Sequence, residues 1–252
     1  MPRVKADLVI RNIGQLVTFA GHNELPFRHP RDENIGVIGG KGEPDLCVAS
    51  SKGIICYVGS SSALSEHVET SSSTEVDAKA SLVLPGYVDS HTHALFAGSR
   101  ENELKMKVEG LSYLDIHRRG GGIFRTVKDT RRATDEELIF QTRSRLDHML
   151  SSGTTTFEIK TGYGLDLKSE IRLLERLKQI SKDFDISSTL LSAHAIPEGF
   201  SKRRYIEQVV LPSIDEASER KLASFCDVFL EEGVFGMNET IKIIAHAKSR
   251  GL

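Results

Sequence analysis

The sequence predicts an α/β protein built on a parallel sheet, preceded by a segment of short strands. Three observations carry that prediction. From Ser81 onward, compact apolar runs alternate four times with amphipathic helical stretches, and parallel neighbours need a crossover that a helix supplies while covering the sheet. Polar residues follow each apolar run at its carboxyl end, where barrel and doubly wound folds assemble their sites. Residues 1–80 lack this rhythm and read as strands and turns.

Taken in order, the first eighty residues read as short strands: Asp7 to Phe19 carries Leu8, Ile10, Ile13, Leu16 and Val17, and a second pair runs through Leu46 to Val48 and Gly53 to Val58. Residues 23–45 hold Pro26, Pro30, Pro44, Gly36, Gly39, Gly40 and Gly42, a density expected to exclude any regular element. Thr70 to Thr74 reads as an exposed turn. The first apolar run of the repeating part is Leu82 to His91, followed by a long insertion and a helix in which Thr134 and Glu137 have capping-box spacing and Gly153 marks the stop. The second run, Thr154 to Lys160, leads to a helix opening near Asp166 with a stripe of Ile171, Leu174, Leu177 and Ile180. The third, Ser187 to His194, precedes helical sequence through Tyr205 to Leu211 and beyond. The fourth, Cys226 to Leu230, precedes a helix with Asn238 as its cap and Gly251 as its stop.

The composition is that of a soluble globular chain: 252 residues, 39% hydrophobic and 27% charged. With 33 Lys+Arg against 35 Asp+Glu, the formal charge of -2 gives no global field to hold nucleic acid or an anionic membrane, so a small molecule is the expected partner. No apolar run approaches the roughly 18 residues of a membrane helix, and the opening MPRVKADLVI is too polar for a signal peptide, which predicts the cytoplasm. Cys47, Cys56 and Cys226 lack CxxC spacing and read as packing residues.

The sharpest chemical signal is His91-Thr92-His93. Side chains two apart in extended chain project to one side, so two imidazoles can reach one cation while Thr92 faces away. Alone, the pattern is also that of a surface or hydrogen-bonded pair. Its position after Pro85-Gly86 and Val88-Asp89, at the exit of an apolar strand, favours a ligand, and imidazole suits zinc, iron, copper or nickel. His246 shares a helical face with Glu239, Lys242 and Ser249, the pattern of a solvated stripe.

The segment LPGYVDSHTH, ending at His93, resembles the first-strand signature of the metal-dependent amidohydrolase superfamily. Ala97-Gly98-Ser99-Arg100, Gly120-Gly121-Gly122-Ile123, Lys160 to Leu165 (KTGYGL) and Ser192 to Pro197 (SAHAIP) then follow in the order of the imidazolonepropionase family, across about residues 80 to 252. The resemblance implies a (β/α)8 amidohydrolase barrel whose first four βα units are residues 81–252, preceded by part of a small β-sandwich domain at 1–80. It implies further strands beyond Leu252 that supply a third histidine, a glutamate and an aspartate. The implied activity is hydrolysis of 4-imidazolone-5-propanoate to N-formimidoyl-L-glutamate in histidine degradation, with one metal ion, zinc or iron, and a homodimer as an allowed assembly.

By that similarity His91 and His93 are metal ligands, Arg100 grips the propionate carboxylate, and Tyr163 and Tyr113 line the substrate pocket. His194 is the catalytic residue, donating to the ring carbonyl or binding product, and Lys160 is a supporting group rather than a carbamylated bridge between two metals. A guanidinium fork suits a carboxylate, and flanking glycines let a loop bring Tyr163 close to a ligand. Without the resemblance, Arg100 is a surface arginine of the charged stretch to Lys107, Tyr163 a rim aromatic, and His194 a buried histidine paired with backbone. Two rival readings are a hydantoinase-like or dihydroorotase-like enzyme with two metals, and a catalytically inert half-barrel.

Overall fold

The computed structural model describes residues 3–20, 35–40, 45–112, 115 and 121–252. It divides into two compact units, Met1–Pro85 and Gly86–Leu252.

The first unit contains strands Val4–Lys5 (β1), Leu8–Ile13 (β2), Gln15–Val17 (β3), Val37–Gly39 (β4), Leu46–Ser51 (β5), Ile54–Ser60 (β6), Val68–Glu69 (β7), Thr74–Asp77 (β8) and Leu82–Val83 (β9), with one short helix, Leu64–His67 (α1). Two of its sheets run in the orders β6-β5-β2-β8 and β4-β3-β9. Val9, Cys47, Ala49, Leu64 and Val68 form its core.

The strands over 7–19 separate where Asn12 adopts φ 54 and where a Cβ at Gly14 would lie 2.2 Å from the Ala80 carbonyl oxygen, and β2 and β3 enter different sheets. Two sequence expectations fail here. The segment expected to hold no regular element contains β4, which pairs antiparallel with β3 from Gln15↔Gly39 to Val17↔Val37. Ladder bonds are made by main chain, so a glycine-rich run can pair, and Gly39 at φ +89 then ends the strand. The run from Leu82 to His91 is also divided: Leu82–Val83 pairs with β3, Pro85 and Gly86 interrupt, and Tyr87–Thr92 opens the sheet of the other unit.

In the second unit Tyr87–Thr92 (β10), Thr154–Lys160 (β11), Asp185–Ala193 (β12) and Phe225–Val228 (β13) pair in that order, all parallel. Helices Glu101–Val108 (α2), Ile123–Arg132 (α3) and Asp135–Ser151 (α4) separate β10 from β11, and Leu167–Ile180 (α5) separates β11 from β12. Lys202–Tyr205 (α6), a π-helical turn Ile206–Val210 and Leu211–Glu219 (α7) lead to β13, and Met237–Ser249 (α8) follows it. Phe157 and Ile159 of β11 are fully buried in a core shared with Leu138 and Leu146 of α4, with Ile171, Leu174, Leu177 and Ile180 of α5, and with Ile243 of α8. Each such side chain contributes about 1.5–3 kcal/mol through burial. Period-two alternation then leaves Glu158 and Lys160 for the opposite face of the strand.

The helix starts match the sequence signals at two places. Thr134 Oγ1 accepts from the Glu137 N–H at 3.2 Å while the Glu137 carboxylate accepts from the Thr134 N–H at 2.8 Å. Asp166 Oδ1 accepts from the Ser169 N–H at 2.7 Å. At α8 the cap is Gly236 rather than Asn238, because Glu239 reaches back to accept from the Gly236 N–H at 2.9 Å, which places Asn238 inside the first turn. His246 is not a solvated group: its Nε2 lies 2.8 Å from Asp215 Oδ1 on α7 and ties two helices together.

Replacing Thr134 with Ala removes the reciprocal cap of the longest helix that covers β11. Denaturant unfolding should show a loss of about 0.5–2 kcal/mol, and an unchanged midpoint would contradict the capping assignment.

Candidate active site

The carboxyl ends of β10, β11 and β12 bring three imidazoles and a phenol together. The Thr92 hydroxyl donates to the Glu158 carbonyl at 2.7 Å and holds the end of β10 on β11. His91 and His93 flank it with ring centroids 5.9 Å apart. Beyond them the chain is pinned by Arg145 of α4, whose Nη1 donates to the carbonyls of Ala94 and Phe96 at 2.9 and 2.8 Å and whose guanidinium sits 3.7 Å over the Phe96 ring. His194 is the first residue after β12 and stacks on His93, with centroids 4.9 Å apart and planes 13° from parallel. The Tyr163 ring stands 5.4 Å from both His93 and His194, and Phe229 meets His194 edge-on at 5.9 Å.

Burial keeps His93 and His194 neutral. It pushes His93 down to about 4, reinforced by repulsion from the neighbouring His194, His91 and Lys160 and opposed by a backbone hydrogen bond to Thr161. Burial also lowers His194, against the pull of its bond to Gly162. That bond joins His194 Nδ1 to the Gly162 carbonyl at 3.0 Å. A carbonyl can only accept, so Nδ1 carries the proton and Nε2 keeps its lone pair. Neutral His194 therefore presents an acceptor from Nε2. The bond also realises the backbone-paired histidine that the sequence left open.

Burial raises the Tyr163 hydroxyl, with the Arg100 charge opposing, so the phenol keeps its proton at neutral pH. Arg100 is exposed at the start of α2, its Nε 3.5 Å from Glu103 Oε2, and its influence on Tyr163 brings it to the same end of the sheet. Burial alone would lower the Lys160 ammonium, but hydrogen bonds to the Glu158 and Asp227 carboxylates outweigh it and hold Lys160 above its ordinary value. Its Nζ lies 2.7 Å from Glu158 Oε1 and 3.1 Å from Asp227 Oδ2, so this cation joins β11 to β13. Tyr113 and Gly120 lie outside the described residues.

His93 Nδ1 is buried without a hydrogen-bond partner, an orphaned ring nitrogen whose lone pair a cation would satisfy. Two imidazoles bound to one ion have centroids roughly 3 Å from it each, which a 5.9 Å separation permits. The pair fits a metal as two of its ligands. Among the described residues no group of three or more His, Cys, Asp or Glu gathers to hold one.

The sequence did not point to Glu170, Asp227 or Arg145. Glu170 carries the one available signal, a carboxylate in the helix directly after a Gly-Tyr-Gly loop. Asp227 and Arg145 reach their partners only through tertiary packing.

No family model matches the chain. An adenosine deaminase from Xanthomonas campestris, solved with bound zinc, superposes on all of this chain and 56% of its own, at a TM-score of 0.50 and 14% identity, a likeness of fold. The protein thus shares the α/β fold of that deaminase. Sequence narrows this further. Imidazolonepropionases from Alkaliphilus oremlandii, Caldanaerobacter subterraneus and Fusobacterium nucleatum are 39%, 42% and 42% identical over 97%, 98% and 98% of the chain. The chain spans 58–59% of the length of these relatives, and along nearly all of its own length it is a relative of the imidazolonepropionases.

Gly162 stands at φ +108, and a Cβ there would meet His194 Nδ1 at 2.7 Å and the Leu191 carbonyl oxygen at 2.9 Å. Gly162→Ala should cost roughly 1–3 kcal/mol and shift the His194 ring resonances. Wild-type stability with unmoved resonances would contradict this packing.

Proposed function

We propose that the protein is a metal-dependent hydrolase of a cyclic amide, and specifically that it opens 4-imidazolone-5-propanoate to N-formimidoyl-L-glutamate. The observation that carries this reading is the cluster of imidazoles at the strand ends beside Tyr163 and the Arg100 charge, in a chain about 40% identical to imidazolonepropionases. The parallel sheet is read as the first four βα units of a (β/α)8 barrel over residues 81–252, and residues 1–80 as part of a small β-sandwich. Histidine degradation in the cytoplasm is the setting this reading implies, and a homodimer the assembly to look for.

His91 and His93 would hold one zinc or iron ion, and Lys160 would support them from behind. Bound there, such an ion makes water nucleophilic near neutral pH. The rest of the work falls to side chains of the chain. Water adds its oxygen to the ring carbonyl carbon, the carbon–nitrogen bond breaks, and one proton passes to the leaving nitrogen. His194 Nε2, bearing a lone pair, accepts a proton or hydrogen bond from the reacting groups. The Tyr163 hydroxyl, kept protonated by burial, donates to a substrate oxygen or nitrogen. Arg100 pairs with the propionate carboxylate through two parallel hydrogen bonds. The ammonium of Lys160 is engaged by Glu158 and Asp227, which speaks against the bridging lysine carbamate of a two-metal enzyme.

The direct test is incubation of the zinc-loaded protein with 4-imidazolone-5-propanoate, following N-formimidoyl-L-glutamate. The account predicts ring opening that a chelator abolishes and added zinc or iron restores; a metal-replete protein that leaves the ring closed contradicts it. Arg100→Ala should raise KM about 10- to 100-fold, the loss of a charge-assisted hydrogen bond, with metal content unchanged. Wild-type kinetics would remove Arg100 from the site.

A further inference from the structure

The side chain that organises the substrate-facing loop is Glu170, a residue of α5 that touches none of the clustered rings. It is fully buried, and its carboxylate is surrounded by donors from one short segment. Oε2 accepts from the Gly162 N–H at 3.0 Å, and Oε1 from the N–H groups of Gly164 and Leu165 at 2.7 and 2.8 Å. The Thr161 hydroxyl also hydrogen-bonds to it. These amides belong to a loop whose backbone leaves ordinary conformations, with Gly162 at φ +108 and Leu165 at φ +53. Left alone, such N–H groups would be buried donors without partners.

The same loop carries one group that faces the proposed substrate and holds the other, His194, which follows β12. Tyr163 lies between two of the clamped amides, and the carbonyl of Gly162 fixes the tautomer of His194. The fit around the carboxylate is close: a Cβ at Gly164 would stand 2.8 Å from Glu170 Oε1 and 2.7 Å from Glu170 N. From outside, Arg131 Nε donates to the Gly164 carbonyl at 2.6 Å, and Arg131 pairs with Asp166 at 2.9 Å.

We propose that Glu170 is a positioning residue, whose carboxylate closes on the amides of Gly162, Gly164 and Leu165 and so sets where the Tyr163 hydroxyl and the His194 ring stand. This inference rests on the reading that those two groups meet the substrate. Glu170→Gln keeps the size of the side chain, supplies one acceptor oxygen in place of two and turns an NH2 group toward a backbone donor. In the metal-loaded protein it should raise KM about tenfold, the effect of one lost charge-assisted hydrogen bond, with metal content at the wild-type level. Ile180→Val, at the far end of the same helix, serves as the control that lowers melting temperature without raising KM. Equal KM changes in the two variants would reduce Glu170 to a stability residue and overturn the proposal.

A second measurement needs neither turnover nor a folded variant. In the wild-type protein, hydrogen exchange at the amides of Gly162, Gly164 and Leu165 should be slowed to the rates of the flanking strand β11. Exchange at open-loop rates overturns the clamp whatever the protein catalyses. Slow exchange in a protein that leaves 4-imidazolone-5-propanoate closed sinks the functional reading and leaves the clamp standing.

Discussion

The constraint on which the second unit depends is the two-residue alternation of parallel strands that are covered by helices on one face. Phe157 and Ile159 must meet α4 and α5 to bury their surface, so Glu158 and Lys160 are left to the other face. Lys160 is buried there, and it sits between two carboxylates because a buried ammonium is tolerated only when paired. The same geometry turns the residues just past the strand ends toward each other. His91, His93, Tyr163 and His194 converge because each lies at or beyond the carboxyl end of one of three neighbouring parallel strands.

Convergence alone would give four aromatic groups in a half-buried cluster. Burial gives them complementary chemical roles. It strips His93 and His194 of their charge, preserving the lone pairs that ligands and bases need, and it holds the Tyr163 proton in place. The carbonyl of Gly162 then chooses which nitrogen of His194 remains free. A loop that a solvent-exposed glycine pair would leave loose is closed instead around a carboxylate from the following helix. Position, charge state and tautomer thus come from a few residues around a single turn.

Much of this was legible in the sequence, for identifiable reasons. The strands β11 and β12 and the helices α4 and α5 announce themselves by apolar period, by the Thr134 and Asp166 caps and by Gly153 as a stop. The histidine pair is visible because its spacing is local. What the sequence concealed is long-range or main-chain in origin. Pairing of Val37–Gly39 needs only backbone, so a glycine-rich stretch gave no warning of it. The close approach of Gly14 to Ala80, which helps send β2 and β3 into different sheets, is likewise long-range. Asp227 meets Lys160 across an intervening strand, and His246 meets Asp215 across two helices, pairings that no local pattern encodes.

The central claim is that His91 and His93 share one cation. X-ray absorption at the zinc edge of the zinc-loaded protein tests it most directly. The account predicts a first shell with two imidazole nitrogens at about 2.0–2.1 Å, falling to one in His93→Ala. A shell without imidazole, or one unaltered by that substitution, would contradict it.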